Sequence, residues 1–348
     1  MARWVEPMGL LHGRGAFAAV AAGAALPLNG GGAAFAIARL IEGGRTLGVF
    51  PIANLPEEWV EDALALTPKV PAFAGLEAPG RPLVMGILDL ALGELPDDGG
   101  APDARAVVAA GHAMLEAGAD LLDIGGDAWR GTGPVAPDDE LAHLVPALRE
   151  LAKAAPVGVR TSHAAVMRAA LDAGAEFVSD ATALRHDPDA TTVVAAAGCP
   201  VVLTYRPGVV PDGAPGVAGS PTHPGDPAIA AVEFLAGRVL ACEAAGIARG
   251  NIAVDPGIGL GGLPEEELDL LDRLPLLHGL GCAVLVGAPG HGAGDEPADG
   301  GAKDGMPGGL GVAVAAASRG AAVLRVRDVA EAVAMLRLWQ ALAGGVMP

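Results

Sequence analysis

Short apolar runs alternate with longer stretches of helical periodicity from residue 83 to the end of the chain. Eight such runs, rich in Val, Leu and Ala, cover residues 83–90, 120–124, 157–160, 176–180, 200–205, 251–255, 283–287 and 322–326. The helical patterns that follow them cover residues 103–117, 138–154, 163–173, 188–197, 226–245, 265–278, 309–319 and 328–343. Apolar strands that alternate with helices indicate a parallel sheet covered on both faces, and eight units predict an α/β protein of the (β/α)8 TIM barrel type.

The first eighty residues lack this alternation. Their pattern predicts a helix at 15–28, a strand at 47–52 and an amphipathic helix at 57–66, followed by a linker at 68–82. We therefore expect two parts: an N-terminal extension at 1–80, whose role the sequence leaves open, and the barrel at 81–348. The extension could cap the bottom of the barrel or pack on its side.

Composition narrows the choice of partners. The chain has a net charge of −19, which disfavours nucleic acid and anionic membrane surfaces, because both bind basic faces. Its 3 cysteines have no metal-type spacing and predict reduced thiols in a cytoplasmic protein. The longest apolar stretch, 16–25, is shorter than a membrane span and is closed by Pro27, so neither export nor a membrane anchor is expected.

Two glycine-rich segments are candidates for a function. The spacing Gly257-x-Gly259-x-x-Gly262 matches a dinucleotide fingerprint, but no acid follows about 20 residues later at a strand end, so a chance match is favoured. Residues 288–307 are almost entirely Gly, Asp, Pro and Ala, and they follow the seventh predicted strand. They predict a mobile loop, because they offer little to bury.

Carboxylates stand where several apolar runs end in a glycine turn. The segments are Met85-Gly-Ile-Leu-Asp89, Asp123-Ile-Gly-Gly-Asp-Ala-Trp-Arg130 and Asp255-Pro-Gly-Ile-Gly-Leu260, and the eighth run continues as Arg325-Val-Arg-Asp-Val329. The carboxyl ends of barrel strands share one face, where such barrels build their active sites. We therefore expect one mouth to collect Asp89, Asp123, Asp180, Asp255 and Arg325.

These four segments are similar to the motifs of the dihydropteroate synthase family, and the resemblance is collinear from about residue 82 to residue 343. It implies a TIM barrel that couples a pterin methyl pyrophosphate to p-aminobenzoate, with Mg²⁺ assisting the loss of pyrophosphate. By resemblance, Arg325 and Arg130 are catalytic and Asp89 is the Mg²⁺ ligand. The implied substrate-binding residues are Asp255, Asp123, Asp180, Ser179, Arg160, His291 and Arg327.

Several letters depart from the family pattern. Arg160 stands where the family has an aspartate, Ser179 replaces an asparagine, and Pro289-Gly290-His291 replaces Ser-Arg-Lys. The amino-pyrimidine edge of a pterin presents N–H donors, so a guanidinium in place of a carboxylate removes an acceptor. We expect Arg160 to pair with Asp123, Asp180 or Asp255, because a buried charge needs a partner. For Asp180, hydrogen bonds to its own turn are an equally good interpretation.

The departures favour a dihydropteroate synthase homologue with a rebuilt site, whose standard activity is weak or absent. One alternative is a fully active synthase that has compensated for the changes. Another is a non-catalytic partner that dimerises with a functional paralogue, and a homodimer is equally open. In each case the expected ligand is a pterin-type or other small anionic molecule.

Overall fold

A computed structural model describes residues 2–30, 32–69, 72–90, 104–125, 136–206, 225–260, 264–288 and 309–343. Its first part is an antiparallel sheet of four strands: β1 (Arg3–His12), β2 (Leu26–Leu28), β3 (Ala33–Glu42) and β4 (Arg45–Pro51). Helices α1 (Gly13–Ala21) and α2 (Val60–Leu64) accompany it, with 3-10 turns at Ile52–Asn54 and Glu57–Trp59. β1 and β2 both pair with β3, and so does β4.

Eight parallel strands then close into a barrel, with β12 paired to β5, and this confirms the predicted fold. Each strand lies beside the next one in the sequence. They are β5 (Leu83–Asp89), β6 (Leu121–Gly125), β7 (Val157–Arg160), β8 (Phe177–Asp180), β9 (Val201–Thr204), β10 (Ile252–Asp255), β11 (Ala283–Gly287) and β12 (Val323–Val326).

Helices cover the outside of the barrel. They are α3 (Ala104–Glu116), α4 (Pro137–Leu151), α5 (Ala164–Asp172), α6 (Ala190–Ala197), α7 (Pro227–Ala244), α8 (Pro264–Asp272), α9 (Gly309–Ser318) and α10 (Val329–Ala343), with 3-10 segments at Arg249–Asn251 and Leu274–Leu280. The helix predicted at 265–278 is divided, because Pro275 cannot donate the hydrogen bond that would continue α8. Among the described helices, none has the length and apolarity needed to span a bilayer.

Alternate strand residues face the lumen and the helices. One buried cluster contains the lumen-facing residues Leu83, Met85, Leu121, Phe177, Val202, Ala253, Leu285 and Val323. Their neighbours, such as Val84, Leu122 and Val178, belong to the larger core beneath the helices. This two-residue period fixes which polar side chains at the strand ends point into the barrel.

The extension caps the bottom of the barrel. Phe73 enters the lumen and packs edge-on against Phe177, with ring centroids 5.4 Å apart. Arg273, at the end of α8, donates to both carboxylate oxygens of Glu6 on β1, at 3.0 and 2.9 Å. A cavity of about 650 Å³ remains between Leu28 of the extension and the first residues of β5 and β12. Part of the predicted linker at 68–82 therefore serves as a plug.

The extension was predicted less well than the barrel. β1 and β3 form the longest strand pair of the sheet, yet the sequence indicated neither of them. The helix predicted at 15–28 ends at Ala21, because Leu26–Leu28 pairs with β3 instead. The segment predicted as a helix at 57–66 is a 3-10 turn followed by the five residues of α2. Strand pairing outweighs local propensity in such Ala-rich segments.

His278 connects the extension to the barrel from a fully buried position. Its Nδ1 lies 2.8 Å from Nδ2 of Asn29, and its Nε2 lies 2.8 Å from the carbonyl oxygen of Arg319. The amide can only donate to Nδ1, so Nε2–H donates to the carbonyl and the ring is neutral. Burial lowers the pKa of His278 to about 4.

We predict that stability falls on acidification because of this histidine. The unfolded chain binds a proton at His278 below about pH 6.5, whereas the folded chain does so only below about pH 4. The free energy of unfolding should therefore decrease by about 3 kcal/mol as the pH falls from 6.5 to 4. Urea unfolding across this range would measure it for wild type and His278→Gln.

The variant should show a flatter pH dependence than wild type, although it is less stable at neutral pH. His112→Gln is the matched control, because His112 is exposed on α3. An unchanged pH dependence in His278→Gln would contradict the assignment of the neutral ring.

Candidate functional site

The carboxyl ends of the barrel strands bring charged side chains to one mouth. Asp89 ends β5, Arg160 ends β7 and Asp255 ends β10. Asp123 lies two residues before the end of β6, and Arg325 is the third residue of β12. Because all eight strands are parallel, these ends share a face, and the lumen-facing period points the five side chains inward.

Arg325 lies at the centre of this mouth and is nearly buried. Its Nη2 donates to Oδ2 of Asp255 at 2.9 Å, and its Nη1 lies 3.7 Å from Oδ2 of Asp123. One guanidinium therefore faces two carboxylates that have no exposed surface. Such a fork suits two acceptors on different strands.

Asp255 is bound on both oxygens. Oδ1 accepts from the backbone N–H of Gly257 at 2.8 Å, and Oδ2 accepts from Arg325 and more weakly from the Thr204 hydroxyl at 3.4 Å. Burial raises the pKa of Asp255, and the charge of Arg325 offsets part of that rise. Gly257 has a φ of +77°, and a side chain there would collide with the Tyr205 carbonyl, so this turn requires glycine.

Asp123 is the least satisfied charged group at the mouth. Neither of its oxygens makes a hydrogen bond of good geometry to another described residue. Burial raises the pKa of Asp123, and the charges of Arg160 and Arg325 and the nearby Ser179 hydroxyl offset part of the rise. A buried carboxyl without close donors is costly to ionise, and such groups often take part in binding or proton transfer.

A second ion-pair group connects three strand ends. Arg160 donates from Nη2 to Oδ1 of Asp89 at 3.3 Å, and Arg327 donates from Nη2 to Oδ2 at 3.2 Å. Arg160 was predicted to pair with Asp123, Asp180 or Asp255, and its ion-pair partner is Asp89 instead, although its charge also acts on Asp123. Asp89 lies within reach of Arg160 because of the strand register, which aligns Asp89 with Gly125 and Gly125 with Arg160.

Gly125 makes this pairing sterically feasible. It lies between Asp89 and Arg160 in the register, and a Cβ at this position would collide with the Arg160 guanidinium. The side chain of Arg160 therefore crosses β6 over a glycine to reach β5. All three residues are visible in the sequence at the ends of successive strands. Only the strand register shows that the glycine lies directly between the carboxylate and the guanidinium.

Asp180 and Ser179 were both predicted to bind substrate, but Asp180 binds its own turn, the alternative left open for it, and only Ser179 faces the lumen. The side chain of Asp180 points away from the lumen and binds the turn that follows β8. Its Oδ1 accepts from the N–H and hydroxyl of Thr182 at 2.7 and 2.8 Å, and its Oδ2 accepts from the N–H of Leu184 at 3.0 Å. Ser179 faces the lumen, and its hydroxyl is buried beside Asp123 without a hydrogen bond of good geometry to the described residues. Asp180 thus shapes the loop after β8, and Ser179 lines the mouth.

Two predicted site residues and one predicted loop fall on parts of the chain that the structure does not describe. Arg130, His291 and most of the loop at 288–307 lie outside the described residues. No group of three or more His, Cys, Asp or Glu side chains within the described ranges could hold a metal ion. Asp89 itself, with a guanidinium on each oxygen, does not fit the divalent cation that the resemblance implies.

Comparison with known proteins gives one consistent result. The pterin binding enzyme family matches residues 85–327. The dihydropteroate synthase of Escherichia coli K12 is 31% identical over 265 residues, which cover 75% of this chain and 92% of that protein. A probable bifunctional folylpolyglutamate synthase/dihydropteroate synthase from Haloferax volcanii is 36% identical over 271 residues, but this chain spans only 30% of its length.

Solved structures agree. The dihydropteroate synthase of Xanthomonas albilineans with 4-aminobenzoic acid is 35% identical and superposes with a TM-score of 0.66, covering 77% of this chain and 94% of that one. The same enzyme in complex with 7,8-dihydropteroate gives a TM-score of 0.65 over 78% of this chain and 97% of that one. The similarity therefore covers the barrel rather than the whole chain.

We predict that removing the central cation destabilises the barrel mouth. Arg325→Met should cost about 3–5 kcal/mol at pH 7.5, because it leaves Asp255 buried without a cation and removes one of the two cations that act on Asp123. The cost should shrink toward pH 5, because both carboxyls have raised pKa values and need no cation once protonated. Urea unfolding at the two pH values would measure it.

Arg337→Met is the matched control, since Arg337 is exposed on α10 and its replacement should change stability by about 0.5 kcal/mol or less. A cost for Arg325→Met that is equal at both pH values would contradict the pairing described above.

Proposed function

Because the chain belongs to the pterin binding enzyme family, we propose that it binds a pterin-type or other small anionic ligand at the mouth of the barrel and forms dihydropteroate weakly or not at all. Its relatives include dihydropteroate synthases, so the general role is dihydropteroate synthase-like, within folate biosynthesis. All three cysteines are free and buried, which suits the reducing cytoplasm that we propose as its location.

The observation that carries the proposal is the position of Arg160. It places a guanidinium at the end of β7, on the lumen side, where the resemblance leads one to expect a carboxylate. The N–H groups of an amino-pyrimidine would meet further N–H groups there, and a guanidinium can neither accept a hydrogen bond nor lose its proton. An unpaired buried donor costs about 1–3 kcal/mol, so one such loss already weakens binding by about fivefold or more.

Asp255 supplies the remaining support for a pterin-type ligand. A carboxylate offers about four lone-pair positions, and the three donors to Asp255 leave room for another N–H. The ligand would have to share this carboxylate with Arg325, whose positive charge already offsets the negative charge of Asp255. An N–H group of the ligand therefore binds Asp255 more weakly than it would bind a free carboxylate. The arginines of the mouth favour ligand groups that accept hydrogen bonds instead.

A second candidate is a fully active synthase. Its support is the 31% identity to the Escherichia coli enzyme over 92% of that protein's length. In that case residues of the segments around Arg130 and His291 would compensate for the lost contacts.

The two candidates differ in one assay. Dihydropteroate formation from the pterin pyrophosphate and p-aminobenzoate should be at least about 100-fold slower than for the Escherichia coli enzyme, because several pocket contacts are changed together. Arg160→Asp alone should not restore the rate, since the Ser-Arg-Lys positions at 289–291 remain changed. Arg337→Asp, an equal charge reversal on the exposed face of α10, controls for net charge.

Wild-type turnover near that of the Escherichia coli enzyme would establish the active synthase instead. A large rate for Arg160→Asp alone would show that Arg160 is the single obstacle and that the other changes matter little.

A further inference from the structure

We infer that the cavity between the extension and the bottom of the barrel, here called the basal cavity, is a second ligand site, and that it takes an uncharged, mainly apolar small molecule with one hydrogen-bonding group. The inference goes beyond the proposed function and does not depend on it. Much of the wall comes from the segments around His12, Asn29 and Phe73, all of which precede residue 85, where the match to the pterin binding enzyme family begins.

The basal cavity has the size of a small-molecule site. Its volume of about 650 Å³ lies within the range of about 300–1,000 Å³ that is typical of ligand pockets. Protein interiors pack closely and rarely leave apolar voids much larger than a water molecule. The cavity is also reachable from solvent, because Ala72, Glu77 and Gly80 in its wall are exposed. A void of this size with an entrance suits a binding site better than a packing defect.

The basal cavity is separate from the charged mouth. Leu83 and Val323, which line it, are the first residues of β5 and β12, whereas the mouth lies at the other ends of the strands. Side chains fill the lumen between the two ends, and they include Phe73 packed against Phe177. A ligand in the cavity therefore does not contact the ion pairs of the mouth.

Small residues on the barrel side make room for a ligand. Gly320, Ala321 and Ala322 follow α9 and line the cavity, while larger side chains such as Trp339 form its walls. Gly320 has a φ of +86°, and a Cβ at this position would collide with Nε2 of His278. This part of the wall therefore requires glycine, and it belongs to the buried framework around His278.

The charged residues of the wall have partners of opposite sign, which favours an uncharged ligand. Nζ of Lys69 lies 3.4 Å from a carboxylate oxygen of Glu77, and Arg81 donates to Asp120 at 2.7 Å. A charged group of a ligand would lose its water in the cavity without gaining a counter-ion of its own, and that loss is costly. The remaining wall is mostly apolar.

Two neutral polar groups supply a point for hydrogen bonding. The ring of His12 makes no hydrogen bond to another described residue, and burial together with the charge of Arg319 lowers its pKa, so at neutral pH it offers an acceptor nitrogen. Arg319 is itself paired with Asp272. Asn29 uses its Nδ2 toward His278, which leaves its Oδ1 without a donor among the described residues. An N–H or O–H group of a ligand can therefore be bound at this side of the cavity.

Two fluorescent probes that share a scaffold test the ligand class. N-phenylnaphthylamine is uncharged and has one N–H group, and anilinonaphthalene sulfonate adds a sulfonate to the same rings. The full chain would be titrated with each probe at neutral pH. We expect the uncharged probe to bind at least about tenfold more tightly, because the sulfonate would be buried without a counter-ion.

Three variants test the location. Ala343→Phe places a ring in the cavity from the end of α10 and should weaken binding of the uncharged probe at least about tenfold, because ring and probe compete for the same volume. Ala341→Phe, at an exposed position of the same helix, is the matched control and should leave the affinity unchanged. Ala78→Phe fills the cavity from an exposed part of the wall and replaces Ala343→Phe should that variant fail to fold.

His12→Phe tests the hydrogen bond, since it keeps a ring of similar shape but removes both nitrogens. It should weaken binding of the uncharged probe severalfold. An unchanged affinity would overturn the role of His12.

The contrary outcomes are distinct. If the uncharged probe does not bind, or if neither Ala343→Phe nor Ala78→Phe weakens its binding, the basal cavity is not a ligand site. Equal or tighter binding of the sulfonate overturns the uncharged ligand class. None of these results bears on the proposed function, which is tested by dihydropteroate formation.

Discussion

Arg325 lies between two buried carboxylates at the centre of this barrel, and its charge offsets part of the cost of ionising each of them. Asp123 and Asp255 have no exposed surface, and burial raises the pKa of each. Taking such groups out of water costs several kcal/mol per ion, and only a close cation offsets it. Arg325 therefore fixes the relative positions of β6, β10 and β12 at the mouth, and through Asp255 it orders the turn at Gly257.

This constraint limits what the mouth can recognise. Arg325 and Asp255 satisfy one another, whereas neither oxygen of Asp123 makes a hydrogen bond of good geometry to another described residue. The neighbouring group of Asp89, Arg160 and Arg327 is partly exposed, so it lies nearer to solvent. The barrel thus keeps the family scaffold, and it carries a guanidinium, Arg160, at the end of β7.

The barrel could be predicted from the sequence because each of its units repeats the same two periods. Strand ends could also be located, and with them the charged residues of the mouth. The direction of each side chain follows from the two-residue period, which could have assigned Ser179 rather than Asp180 to the lumen. Register could not be predicted, since it depends on the closure of the whole barrel, and the partner of Arg160 depended on it.

The extension was harder for a different reason. β1 and β3 contain no clear alternation, and their pairing joins residues thirty or more positions apart along much of their length. The sequence around Phe73 does not indicate that it fills the lumen, because its partner Phe177 is distant in the sequence. Such contacts arise from tertiary packing rather than from local propensity.

The account of the barrel mouth depends on the ion pair between Asp89 and Arg160 across Gly125. A double-mutant cycle measures the energy of this pair most directly. The free energies of urea unfolding of wild type, Asp89→Asn, Arg160→Met and the double variant would be compared at low ionic strength, where urea adds no screening salt. A coupling energy of about 1–2 kcal/mol in favour of the pair is predicted, because both groups are partly buried and share one network. A coupling energy indistinguishable from zero would contradict the pairing.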